Sequence, residues 1–208
     1  MGGRRYADKT AGERRAERRT RLLDAAVDAF GKDGYRATSI EQLCAAAGIS
    51  TRNFYEEFSS REELLIALHD DLNARALEAV VAAIAEVDPN DLEARARTGV
   101  QAYFRVMTGD RRWARIALVE SVGVSPAAEA HRRTAIDRFA GLIRLEADRL
   151  AEAGIVSARD HGLTAVALVG AINGLINTWT VETDWNQRVD QVSEEAARLI
   201  VRAIAEPV

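Results

Sequence analysis

Apolar residues recur at three- and four-residue spacings along almost the whole chain. Nowhere do Val, Ile and Thr alternate with polar residues as a half-buried strand requires. With only three prolines in 208 residues, that pattern predicts an all-α protein of about nine helices. Leu22, Leu23, Ala26, Val27 and Phe30 share one face of a first helix that stops near Gly31 and Gly34. Thr38 with Glu41 fits a capping box that opens a second helix, and Gly48 closes it. Ser50 caps a short third helix that ends near Phe58. Ser60 with Glu63 opens a long fourth helix to about Val87, where Asp88-Pro89-Asn90 breaks the chain. Five further helices are expected over 90–107, 110–121, 126–153, 160–182 and 189–205. Gly109-Asp110, Val124-Ser125-Pro126, Gly154 and Thr183-Asp184 punctuate them.

Composition narrows the class. Hydrophobic residues make up 48% and charged residues 29%, which suits a globular chain and not a disordered one. The single cysteine, Cys44, allows neither an internal disulfide nor a four-thiolate zinc site. No metal and no cofactor are expected. The first twenty residues lack the apolar stretch of a signal peptide, so a cytoplasmic protein is expected. Gly162–Val181 carries no charge over about a bilayer's length. Its Thr164, Asn173, Asn177, Thr178 and Thr180 read instead as a buried helix at an oligomer interface. Charge is distributed unevenly. Residues 1–21 hold eight basic and three acidic groups, and the rest of the chain holds 20 basic and 29 acidic ones. A basic end on an acidic body points to a polyanion partner for that end alone. Residues 1–19 read as a flexible basic arm.

Residues 38–58 carry the informative motif. Two short helical patterns meet at Gly48, with Leu43, Ala47, Ile49 and Phe54 at apolar contact positions and the small Cys44 where the helices come closest. This is a helix-turn-helix pattern. Its second helix opens with Ser50, Thr51, Arg52 and Asn53, short or hydrogen-bonding side chains at an exposed helix start. Such side chains reach base edges in the major groove, and a helix N-terminus favours phosphate.

With the first-helix run Arg-Leu-Leu-Asp-Ala-Ala-Val-Asp-Ala-Phe, the stretch Gly34-Tyr35-Arg36-Ala37-Thr38-Ser39-Ile40, then Ala47-Gly48-Ile49-Ser50, Phe54-Tyr55, Phe58 and Arg61-Glu62-Glu63-Leu64-Leu65, the chain resembles the tetracycline-repressor (TetR) family of bacterial regulators. The resemblance covers residues 20–68, about a quarter of the chain. It implies a DNA-binding domain over 20–68, with the helix-turn-helix at 38–58, and an effector-binding and dimerisation domain over 69–208. It places Thr38 and Arg61 as phosphate contacts, Thr51, Arg52 and Asn53 as base readers, and Tyr55 against phosphate or a thymine methyl. Arg36 and Ser50 complete the expected DNA-facing set. Glu56 and Glu57 stand where the family commonly has tyrosine and histidine. Carboxylates facing phosphate would be repelled, so they are expected to turn away or to pair with Arg61 or Arg52.

The second domain offers Tyr103, Phe104, Met107, Trp113, Phe139 and Trp179 as large side chains for a pocket wall. Glu120, Asn173 and Asn177 are its candidate polar contacts. Gly170 and Gly174, one turn apart, let another helix approach closely. Together with Leu199, Ile200 and Ala203 of the last helix they form the expected dimer interface, which is where the family builds it. The resulting expectation is a homodimeric repressor, released from a palindromic double-stranded operator by a small-molecule effector, with no membrane partner. A ligand-independent architectural or cell-division DNA-binding protein of the same fold is the alternative. Catalysis is not expected: no nucleophile elbow, phosphate-cradling loop or metal motif is present, and Gly123-Val124-Ser125-Pro126-Ala127 lacks the elbow's second glycine.

Overall fold

In a computed structural model, residues 10–181 and 188–205 are described, without the side chains of residues 179–181. All regular structure among them is helical: α1 (Ala11–Lys32), α2 (Ile40–Ala47), α3 (Thr51–Glu57), α4 (Arg61–Ala85), α5 (Leu92–Thr108), α6 (Arg111–Arg115), α7 (Pro126–Glu152), α8 (Gly162–Val181) and α9 (Val189–Ala205). A single π turn, Ile116–Glu120, continues α6.

The helix starts are set by side chains that satisfy free amides. α1 begins earlier than its apolar pattern does. Thr10 and Glu13 form a capping box, so residues 11–19, expected within a flexible arm, are the first turns of a helix. Residues 1–9 lie outside the described part. The box at α2 also moves by one residue. Ser39 and Gln42 form it, whereas the Thr38 hydroxyl turns inward and donates to Gly34 O at 2.9 Å. Ser50 caps α3. Ser60 caps α4, while the Glu63 carboxylate reaches past it to Ser59 N at 2.6 Å.

Apolar side chains collect in two principal cores. One joins α1 to α3 and the first turns of α4 through Leu22, Phe30, Leu43, Phe54, Phe58, Leu64 and Leu68. The other joins the rest of α4 to α5, α6, α8 and α9 through Leu72, Ala76, Phe104, Met107, Ile176 and Ala196. α4 therefore supplies both cores, which ties the two domains through one helix. Ile116 reaches from the π turn into the first core, and Trp113 packs against both.

Candidate nucleic-acid interface and ligand cavity

Gly48 ends α2 in the left-handed region, at φ 63°, a conformation that glycine adopts without steric cost. This turn sets α3 across α2. Phe54, fully buried, anchors its inner side. Thr51, Arg52 and Tyr55 are exposed, with the Arg52 side chain 88% accessible. Asn53 is half-buried, and its backbone N–H donates to the Ser50 hydroxyl at 3.1 Å. Arg36 is exposed in the loop before α2. These residues share the first domain's surface as the sequence suggests. Cys44 is buried beneath them, and burial pushes its thiol up.

Two expected phosphate contacts have other partners. Thr38 is buried, with its hydroxyl spent on Gly34 O and its backbone N–H on Tyr35 O. Arg61 donates to Thr38 O and stacks on the Tyr35 ring with 4.4 Å to the centroid. Glu57 is not paired with Arg61 or Arg52. Its carboxylate is buried between Arg15 Nε and Arg18 Nη2, each at 3.1 Å. Arg19 stacks on Phe58 at 4.3 Å. Three arginines of the basic segment thus hold the start of α1 onto the end of α3. Glu56 follows the expected pairing, 3.4 Å from Arg52.

The second domain encloses a cavity of about 110 Å³. Val80 and Ile84 of α4, Ala96, Gly99 and Val100 of α5, Phe139, Ile143 and Leu150 of α7, Val169 and Ile172 of α8 and Ile204 of α9 give it apolar walls. Of the residues expected in a pocket, the structure brings Tyr103, Phe139 and Asn173 to it. Phe104 and Met107 are fully packed core instead. Trp113 lies at the domain junction beneath Arg75, 4.5 Å from ring centroid to guanidinium. Asn177 is exposed on α8, and the Trp179 side chain lies outside the described residues.

Glu120 is also elsewhere. It accepts from Tyr35 N at 2.8 Å and from Arg115 Nε at 2.9 Å, so it bridges the two domains. Arg115 completes that bridge by donating to Lys32 O at 3.1 Å at the end of α1.

Sequence reasoning missed the polar edge of the cavity. Arg95 binds Glu146 at 2.7 Å and donates to Ile84 O in the last turn of α4 and to Val87 O just beyond it. Arg149 shares the same carboxylate at 3.2 Å. Scattered charges on amphipathic helices gave no signal that these would converge.

The expected dimer residues divide. Gly170 and Gly174 lie on the open side of α8, where an added Cβ meets nothing within 4 Å. Leu163, 87% exposed, and Val166 continue that side. Leu199, Ile200 and Ala203 are partly buried against α7 and α8 in the protomer's own core, and Ile200 also lines the cavity. The apolar side of α9 is largely used within the chain. No helix among the described residues is long and apolar enough to cross a membrane.

Residues 22–68 match the family model described as bacterial regulatory proteins, tetR family. The fold is similar to that of the TetR family transcriptional regulator PfmR from Thermus thermophilus, with TM-score 0.70 and 26% identity over 88% of this chain and 97% of that one. Residues 22–68 therefore carry a TetR-family DNA-binding domain. Beyond residue 68 the helical body shares its fold with regulators of that family. Over 82 residues it is 38% identical to the HTH-type transcriptional repressor KstR2 of Rhodococcus jostii, a stretch covering 38% of this chain and 39% of that relative. The match thus spans about two fifths of that relative's length. The fold is also similar to that of the transcriptional regulator FadR from Bacillus subtilis in complex with stearoyl-CoA, with TM-score 0.77 and 18% identity over 88% of this chain and 98% of that one.

Proposed function

We propose that this chain is a homodimeric transcriptional repressor that leaves a palindromic operator when an acyl-thioester or similar amphipathic effector enters the second domain. The observation that carries this reading is the sharing of α4. Its first turns place Leu64, Leu65 and Leu68 in the core beneath the DNA-facing helix, and its last turns place Val80 and Ile84 in the cavity wall. A ligand that moves the wall moves a helix that also builds the core into which Phe54 of α3 packs.

The cavity's chemistry favours a hydrocarbon. Its walls are apolar, and cationic groups sit at one edge only. At about 110 Å³ it is smaller than the roughly 150 Å³ that encloses a benzene, so a longer chain must part the surrounding helices. B. subtilis FadR, which shares the fold, binds stearoyl-CoA. Effector release further requires the ligand to bind the DNA-free form more tightly, typically by about 1–3 kcal/mol. Two-fold pairing through the open side of α8 would present two α3 helices to half-sites about one DNA turn or a multiple apart. Arg36, Thr51, Arg52, Asn53 and Tyr55 are the proposed contacts.

The test begins with purified protein and fragmented genomic DNA. Captured fragments are expected to share an inverted repeat, and binding to it, followed by fluorescence anisotropy, should weaken on titration with octanoyl- to stearoyl-coenzyme A. Fragments without a common repeat would refute sequence-specific regulation. Binding indifferent to every acyl-coenzyme A would refute the effector class.

A further inference from the structure

A second, smaller void adjoins the apolar cavity. It measures about 10 Å³, close to the least volume that holds one oxygen-sized group. Among apolar neighbours such as Ala117, Leu118 and Ile136, its lining gathers polar groups: His69 and Asn73 from α4, Arg132 from α7, and the Tyr103–Asn173 pair that it shares with the cavity. The Tyr103 hydroxyl donates to Asn173 Oδ1 at 2.7 Å and forms part of the wall between the two spaces. Burial pushes the Tyr103 phenol far up, so it stays a donor. On the chamber side, Asn73 Nδ2 lies 3.3 Å from His69 Nε2 and donates to His69 O at 2.8 Å. Arg132 is paired with Glu129 at 3.3 Å. The chamber therefore presents hydrogen-bonding groups with its one cation already matched.

The opposite end of the cavity differs. Arg95, Glu146 and Arg149 are partly exposed there, which makes it the mouth. An amphipathic effector enters with its charged end at the mouth and its far end at Tyr103 and Asn173. Along α5, the eight residues from Arg95 to Tyr103 rise about 12 Å, the reach of a medium-length acyl chain.

A methyl group arriving there meets two polar side chains. It either stops short or parts them and leaves a buried hydroxyl and amide without partners, which is costly. An oxygen arriving there bridges them, accepting from Tyr103 and, as a hydroxyl, donating to Asn173. Sites that hydrogen-bond a ligand oxygen discriminate strongly against the analogue that lacks it.

We propose that the chamber behind the Tyr103–Asn173 pair is a specificity subsite for effectors carrying a hydroxyl at the buried end of an apolar body. This rests on the acyl-thioester reading above and refines it. The probes are decanoyl-coenzyme A and ω-hydroxydecanoyl-coenzyme A, titrated calorimetrically into the full-length protein. The hydroxylated probe is expected to bind about tenfold or more tightly. In Asn173→Leu and in Tyr103→Phe that preference should fall towards one. Tyr103→Phe removes a single oxygen and keeps the ring's packing, so it reads the preference even if the first variant folds poorly. Equal binding of both probes by the unmodified protein overturns the subsite and leaves the acyl-thioester reading standing. A preference that survives both substitutions also overturns it. Binding of neither probe overturns the acyl-thioester reading, and the subsite with it.

Discussion

Glu57→Ala isolates the interaction that fixes the start of α1. The Glu57 side chain is 1% exposed and meets Arg15, 64% exposed, and Arg18, 22% exposed. Removing one partner of a fully buried pair costs about 3–5 kcal/mol, because the other charge is left without compensation. That figure is too high here. Arg15 returns to water at little cost, since exposed pairs are worth about 0–1 kcal/mol. Arg18 is the more enclosed partner and carries most of the loss. The expected destabilisation is about 2 kcal/mol, and for a chain of this size each kcal/mol lowers Tm by about 2–4 °C. Thermal unfolding followed by circular dichroism should thus shift by about 4–8 °C. Hydrogen exchange should show the loss first in residues 11–21, whose amides have little apolar packing to protect them. Glu56→Ala serves as the control, because Glu56 is 45% exposed and its contacts with Arg52 at 3.4 Å and Arg18 at 3.7 Å are longer than those of Glu57; it should leave Tm nearly unchanged. An unaltered exchange pattern in the first three turns of α1, with Tm within a degree of the parent, would refute the role given to this buried carboxylate.

Three further outcomes are expected. Arg52→Ala should cost about 1–3 kcal/mol on the operator and much less on random DNA, measured by anisotropy competition; equal losses would make Arg52 a phosphate contact. Gly174→Leu should leave the protomer folded, since its added Cβ has open space, and light scattering should show a dimer for the parent and a monomer for the variant. Burial holds the His69 imidazole below its ordinary 6.5, with Asp70 opposing. The unfolded chain therefore takes up its proton at higher pH than the fold does. Stability should be full above about pH 6.5 and decline as pH falls below it, and His69→Asn should flatten that decline in denaturant unfolding.

The helices were legible because each needs a capped start and an apolar side, and both are written locally. Thr10-x-x-Glu13 was equally legible as a cap, but the arginine run after it lacks a strong apolar period, so the segment reads as an arm. Thr38 and Ser39 are both capping residues. Which one caps depends on the turn at Gly34, where a carbonyl draws the Thr38 hydroxyl inward. The DNA-facing set follows from a motif whose spacing fixes its geometry, although the partners that occupy Thr38 and Arg61 come from elsewhere in the fold. The cavity was less legible. Tyr103 and Phe104 are neighbours in sequence, yet about 100° apart around α5, so one reaches the cavity and the other the core. Counting along an α-helix puts Glu120 on the same side as Trp113, seven residues earlier, and the π turn that intervenes has no signature in the residues Ile116–Glu120.

That turn contains one residue more than an α turn: Ser121 N bonds to Ile116 O at 3.1 Å, five residues back. The extra residue sets the phase of everything beyond it. Ile116 is held in the DNA-binding core, Ala117 and Leu118 line the polar chamber, and Glu120 grips the Tyr35 N–H. Winding the turn back to α geometry would rotate Glu120 by about 100° relative to α6 and take its carboxylate off the first domain. Removal of a single residue from this stretch should therefore spare both folds and sever their timing: DNA and effector each still bind, but neither alters the other's affinity.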